Sequence, residues 1–373
     1  MKAVLLALLL AGGALAQRHK VNINTETPEG QALQQIGQES DDAKKIAMFE
    51  KFTQDYPKSE NLAWVYSEMQ PLYTKASQPD KAIEIGDKLI ALDAEDLETA
   101  LATLKAAEAK KDPDLVKKWS NTTGQIARKA MAAPQPKDED EAEGWKKAVD
   151  YAKQVNTYSE YALYATALQT ADPRKKADLI ETLEQRNPQS QYLGQVKPML
   201  FQVYRQAGDN AKAIAVAEKI LATDQSNEDM LLVVADNYLQ QGKEPDKVLA
   251  YSNKLIEVMN TKAKPEGASD ADWENRKKTV SGLGHFMIGK LNFNEKKYGP
   301  ADKELRTALP LVEANADLKA EVLFLLGFSN YKMENIMDAL KFNQQCAAIK
   351  SRFQAQAAKN VSVIKSQYRA VKQ

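Results

Sequence analysis

From about residue 28 onward, apolar-periodic stretches of about 12–18 residues alternate with short polar breaks. Within each stretch the apolar positions recur every three or four residues, which places them on one face of an α-helix. Asp-Pro, Gln-Pro, Ala-Gly-Asp and Asn-Pro mark the breaks, as expected of sequences that stop one helix and start the next. Thr27 followed by Pro28 reads as a helix start, with proline at the first helical position. Residues 190–210 read as one helix and a turn, with Val196, Leu200, Val203 and Tyr204 on one face. Gly208 ends that helix, where a left-handed residue is favoured. The next helix carries Ala213, Ala217 and Ile220 on its inner stripe, and small side chains there let two helices approach closely. The pattern predicts an all-α chain.

The pattern also repeats. Residues 41–93, shifted by 131 positions, lie without a gap on 172–224. Pro57 meets Pro188, Ser59 meets Ser190, Tyr73 meets Tyr204, Ala82 meets Ala213, Ile83 meets Ile214 and Asp93 meets Asp224. With one residue inserted, 112–121 continues onto 244–253. A period on this scale means stacked modules that bury a continuous core only by packing on their neighbours. Copy one spans 28–133, copy two 157–262, and a shorter third copy 284–350. A loop and linking helix (134–156) separates the first two, and a loop and the start of a long helix (263–283) the last two. Trp145 and Trp273 open the helices after the two breaks. Residues 351–373 read as a helix capping the open end of the stack.

Leu200, Tyr204, Gly208, Ala213, Ala217 and Ile220 have the spacing of a tetratricopeptide repeat, and the chain resembles that family over about 28–350. Val234, Tyr238, Gly242, Val248 and Leu255 offer a second unit, and Met69, Tyr73, Ala82 and Leu89 an earlier one. Gly289, Tyr298, Ala301, Leu305 and Ala308 offer another, and Leu326, Gly327, Ala339 and Cys346 the last. The terminal proline of the family pattern is mostly missing. The resemblance implies a right-handed superhelical solenoid of antiparallel helix pairs, about seven to nine of them, whose first helices line a concave binding face. The segment FEKFTQDYPKSENLAWVY (49–66) is similar to envelope tetratricopeptide proteins of Gram-negative bacteria.

The first sixteen residues have the form of a secretory leader. Lys2 precedes an apolar run, and Ala14-Leu15-Ala16 supplies a small-residue cleavage site before Gln17. The run is too short to span a bilayer comfortably. The expectation is a protein exported to the periplasm or beyond, with no integral membrane segment after cleavage. Residues 17–27 carry no apolar period and read as a mobile lead-in. The 51 basic and 51 acidic residues balance, which argues against nucleic acid as the main partner. The single cysteine cannot form an internal disulfide.

A search for chemistry returns little. His19 lies in the lead-in, and His285 lies in a helix with no second histidine to share a metal. Cys346 takes a small apolar place in its repeat and reads as core. The sequence holds no Gly-rich phosphate loop, nucleophile elbow or His-Glu-x-x-His. The acidic run Asp138–Glu143 reads as a solvated loop. The expectation is therefore not an enzyme, with no cofactor and no metal, but a noncovalent scaffold or adaptor for a protein or peptide. A glycan- or small-molecule-binding helical repeat is the alternative. Phe286, Phe293, Phe324, Phe328 and Tyr331 are placed near the concave face by the resemblance, either as an open groove or as core beneath the capping helix. Tyr151, Tyr158, Tyr161 and Tyr164 form a second cluster with the same two readings. Where chaperone-type repeats hold a peptide carboxylate, this chain carries Pro198, Gln202 and Arg205, or Leu232, Asp236 and Leu239, which departs from that pattern.

Overall fold

Side-chain oxygens begin most of the helices. Asp41 and Asp172, equivalent in the two copies, each accept bonds from backbone amides of the first turn that follows, Lys44 at 2.9 Å and Arg174 at 2.8 Å. Thr27 caps its helix by accepting from the Gly30 amide at 3.1 Å. Such caps satisfy amides that no helical carbonyl can reach. The computed structural model describes residues 18–371. The predicted leader, 1–16, and its cleavage site lie outside the described residues. All regular structure among them is helical.

The chain divides into two compact units, one up to Ala207 and one from Gly208. The first contains α1 (Pro28–Gln38), α2 (Asp42–Asp55), α3 (Leu62–Lys75), α4 (Pro79–Leu92), α5 (Leu97–Lys110), α6 (Pro113–Met131), α7 (Glu139–Gln169), α8 (Pro173–Arg186), α9 (Leu193–Val196) and α10 (Leu200–Ala207). Consecutive helices pack in pairs, and α5 also touches both α3 and α7, forming a layer of first helices. The second unit contains α11 (Asn210–Thr223), α12 (Glu228–Gln241), α13 (Pro245–Thr261), α14 (Asp270–Asn294), α15 (Tyr298–Leu311), α16 (Ala316–Lys332), α17 (Ile336–Ala347) and α18 (Gln354–Val371). There α12, α14 and α16 form the corresponding layer, and α18 packs on α17.

The expected single helix over 190–207 is broken. Pro198 has no amide hydrogen to donate and its ring crowds the preceding turn, so α9 gives way to a 3₁₀ turn at Lys197–Met199 before α10 resumes. Val196, Leu200, Val203 and Tyr204 are nevertheless all buried.

Two local devices recur. The first ends the helices. Gly208 and Gly242 adopt the left-handed conformation (φ +77° and +62°), and so do Ser77, Lys296 and Glu334 (φ +55°, +62° and +62°). Beyond Gly242, Lys296 and Glu334 the next amide bonds back five residues: Lys243 to the Tyr238 carbonyl, Lys297 to Asn292 and Asn335 to Asn330, at 2.8–3.1 Å. This closure satisfies carbonyls the helix leaves open. The second device ties a first helix to the second helix before it. Tyr73 on α3 donates to Glu50 on α2 at 2.7 Å, and the equivalent Tyr204 on α10 donates to Glu181 on α8 at 2.5 Å. Tyr238 on α12 makes the same bond to Glu218 on α11 at 2.9 Å. Burial, then the carboxylate, holds the Tyr73 phenol well above its ordinary pKa.

The alanines of the pattern sit where helices meet. Ala82, Ala213, Ala301 and Ala339 are essentially inaccessible. Gly86 extends the tight contact, since a Cβ there would lie 2.0 Å from the Thr103 hydroxyl. Gln70 fills the remaining polar need, donating to Thr103 Oγ1 at 2.7 Å and to the Ala82 carbonyl at 3.2 Å.

Enlarging Ala213 to leucine overpacks its site and should lower stability by about 1–3 kcal/mol in a denaturant melt. An unchanged midpoint would mean that the repeat register is misplaced. Glu334→Gly removes a left-handed strain of about 1 kcal/mol, part of which is returned as unfolded-state entropy. It should raise the melting temperature, whereas Gly242→Glu should lower it.

Candidate functional site

Four tyrosines form a ladder on the first unit. Tyr158, Tyr161 and Tyr164 stand on α7, three residues apart, so they lie along one flank of the helix. Successive ring centroids are 6.2 and 6.1 Å apart. Tyr192, in the turn before α9, joins them. It stacks on Tyr164 at 5.2 Å with planes 22° apart and lies 5.8 Å from Tyr161. The hydroxyls at each end are fixed: Tyr158 donates to Glu108 on α5 at 2.7 Å, and Tyr164 to Gln195 at 2.7 Å. Burial drives the Tyr158 phenol up, with Glu108 adding to the shift. The same burial raises Glu108 itself, against the opposing hydrogen bond from Tyr158 and the nearby Lys105. The Lys105 ammonium stands 5.7 Å over the Tyr158 ring. Tyr161, in the middle, is 41 % exposed. The result is a rigid aromatic platform with one face in water. Tyr151, the fourth tyrosine of the sequence cluster, packs instead with Leu101, Ala152 and Val155.

The second unit distributes the five predicted aromatic residues differently. Phe286 is buried, 7 % exposed, beneath the Lys290 ammonium. Of the two readings its position allowed, open groove or core, this burial matches core. Phe293 meets Phe328 edge-on at 5.3 Å and Tyr298 at 6.0 Å, bridging α14, α15 and α16. Phe324 stacks on Phe353 at 5.0 Å, and the Arg352 guanidinium covers Phe353 at 4.7 Å. Tyr331 donates to Gln367 on α18 at 3.0 Å. Phe293, Phe324, Phe328 and Tyr331 are half-buried.

Several polar side chains of the two units find partners within the protein, although buried atoms such as Trp119 Nε1 and Arg186 Nε have none. A cleft of about 300 Å³ between α6 and α8 is lined by Lys117, Asn121, Asp178, Thr182 and Arg186, among others. Lys117 is held by Asp178 at 2.6 Å. Arg186 donates to the Ser120 carbonyl at 2.7 Å and to Ser159 Oγ at 2.5 Å. Gly124 makes room for this guanidinium, since a Cβ there would lie 2.8 Å from its carbon. Burial lowers the Arg186 pKa to about 10. His285 Nδ1 lies 2.7 Å from Glu304. Cys346 is buried against the Ala320 carbonyl, and desolvation pushes its thiol up to about 11. Among the described residues, no group of three or more His, Cys, Asp or Glu side chains is placed to hold a metal ion, and no helix is long and apolar enough to cross a membrane.

Sequence reasoning missed Tyr192, which shares no helix with its three partners. It also missed the fixed course of residues 18–27. Arg18, His19 and Asn22 are bound to Asp93, Asp96 and Asn61, so this stretch is anchored and not a loose lead-in.

No family model matches the chain, and no curated protein does. Solved structures offer distant likenesses. The TPR domain of P58(IPK) aligns over 93 % of this chain and 100 % of its own at 11 % identity, with a TM-score of 0.28. TTC0263, a thermophilic TPR protein of Thermus thermophilus, aligns over 69 % of this chain and 98 % of its own at 17 % identity, with a TM-score of 0.20. Yeast Tom70 aligns over 93 % and 97 % at 12 % identity, with a TM-score of 0.20.

Proposed function

We propose that this protein is a noncovalent scaffold of the bacterial cell envelope that holds a peptide or protein segment against the first-helix layer of its first unit. The observation that carries this reading is the tyrosine ladder. Tyrosine buries a large area for little loss of rotamer freedom, and its rim can hydrogen-bond a backbone. Here the hydroxyls of Tyr158 and Tyr164 are locked, so the platform is organised before any partner arrives. Lys105 and Glu108 beside it offer one group of each sign. The envelope location rests on the leader-like residues 1–16.

The phenylalanine cluster of the second unit fits a supporting role better than a docking role. Its rings are used on one another and on Phe353. A second reading is favoured by one detail: the Tyr164–Tyr192 pair presents parallel rings, which also suit the flat face of a sugar.

Two changes separate these roles. Tyr161→Ala removes the exposed centre of the ladder and should weaken partner binding by about 2 kcal/mol with a nearly unchanged melt. Phe328→Ala should instead lower stability by about 2–4 kcal/mol and leave the affinity of the folded fraction intact. Titrating the wild-type protein with chitooligosaccharide and with envelope-derived peptides decides between the two ligand classes. Saturation by the sugar alone, abolished in Tyr161→Ala, would replace the peptide reading.

Export has its own check. The protein recovered from an envelope fraction should begin at or near Gln17 by mass spectrometry, and an intact Met1 there would overturn the envelope assignment.

A further inference from the structure

The stretch from Arg18 to Asn24 crosses the N-terminal ends of α5, α3 and α1, in that order. At the first station Arg18 forks onto Asp93, its Nη2 2.9 Å from Oδ1 and its Nε on the other oxygen. His19 Nε2 lies 2.9 Å from Asp96 Oδ2, and these two side chains are only 10 % and 5 % exposed. Val21 packs against the core of the unit. At the second station the side-chain amide of Asn61 accepts from the Asn22 amide at 2.8 Å and donates to the Asn22 carbonyl at 3.3 Å. That pair reads a main chain as a neighbouring β-strand would. At the third station the Asn24 carbonyl passes directly over Gly30, where a Cβ would lie 1.8 Å from the oxygen.

These groups do more than cap helices. The equivalent of Asp96 in copy two is Asn227, which caps α12 by accepting from the Met230 amide at 3.3 Å. A neutral amide therefore suffices for the cap. Asp96 caps α5 with Oδ1 and turns Oδ2 to Thr99 and His19. The equivalent of Asn61 is Tyr192, which cannot read a main chain in that way. The sign of the site is also specific. Helix N-termini attract anions, and Asp93 with Asp96 reverses that preference so that a guanidinium and an adjacent imidazole fit.

We propose that Asp93, Asp96, Asn61 and Gly30 form a docking site for an extended peptide bearing an arginine followed by a histidine, and that residues 18–24 of this chain are its resident, displaceable occupant. Displacement is within reach because Val21 is the one side chain of the stretch packed on the apolar core, while ordering the stretch costs backbone entropy at every residue. Arg18 is half exposed, so its ion pair weakens with salt. The proposal is independent of the tyrosine ladder.

The test uses the full chain and a synthetic peptide of residues 17–27. Hydrogen exchange should show the Asn22 amide of the wild-type protein protected, and Arg18→Glu combined with His19→Glu should release it while leaving α3 and α5 protected. These two changes lie in the segment and spare the caps, so loss of folding does not confuse the result. The released variant should then bind the labelled peptide in trans. Adding Asp96→Asn, whose cap survives, should weaken that binding at least tenfold, and 0.5 M salt should weaken it further. A peptide with glutamates in place of the Arg-His pair should not compete. An unprotected Asn22 amide in the wild type would overturn the proposal. So would absence of peptide binding to the released variant, or binding indifferent to Asp96→Asn.

Discussion

The close approach of paired helices at small residues is the constraint on which the rest depends. A helix with one apolar stripe cannot cover that stripe alone, and two such helices cover it well only if their backbones come near. Ala82, Ala301 and Ala339, with no accessible surface, and Gly86 and Gly327, where a Cβ would collide with the next helix, set that distance. Once it is set, Tyr73 and Tyr204 reach the carboxylates of the preceding helix, and the left-handed closures at Gly242, Lys296 and Glu334 return the chain in the right direction. A larger residue at any of these contacts would shift several bonds together, because packed interiors transmit strain.

Within the second unit α18 packs on α17, and Tyr331 donates a hydrogen bond to its Gln367. Within the first unit an extended segment lies beside α1, whose Leu33 and Ile36 are buried. The two segments are held by different chemistry. α18 buries Ala357 and Ile364 and bonds Asn360 to Asn343, whereas the segment is held mainly by carboxylates and one side-chain amide.

What was legible in the sequence was whatever repeats. The helices, the alanine contacts and the left-handed Gly208 follow from a periodic pattern that is written several times over. Arg18 to Asn24 has no period, and its partners Asp93, Asp96 and Asn61 lie 39 to 77 positions away, so no local pattern could reveal its course. Gly30 near the start of a helix was the one available sign that a backbone passes close by. Pro198 was visible, but the helical period on either side of it concealed the break. The candidate site shows the same division. Tyr158, Tyr161 and Tyr164 were apparent from their spacing, while Tyr192 completes the platform from another element. Phe286 and Phe328 share the spacing of groove residues, but packing across three helices decides which rings face water.

The proposed function depends on whether the exposed face of the tyrosine ladder meets another molecule. A benzophenone amino acid at position 161, irradiated in cells and compared with the same group at position 249, tests this directly. Leu249 is an equal control, because it too is 41 % exposed but stands on the second helix of its pair. A discrete protein adduct is expected at 161 and none at 249. No adduct at 161, or the same adducts at both positions, would mean that the ladder is not a binding face.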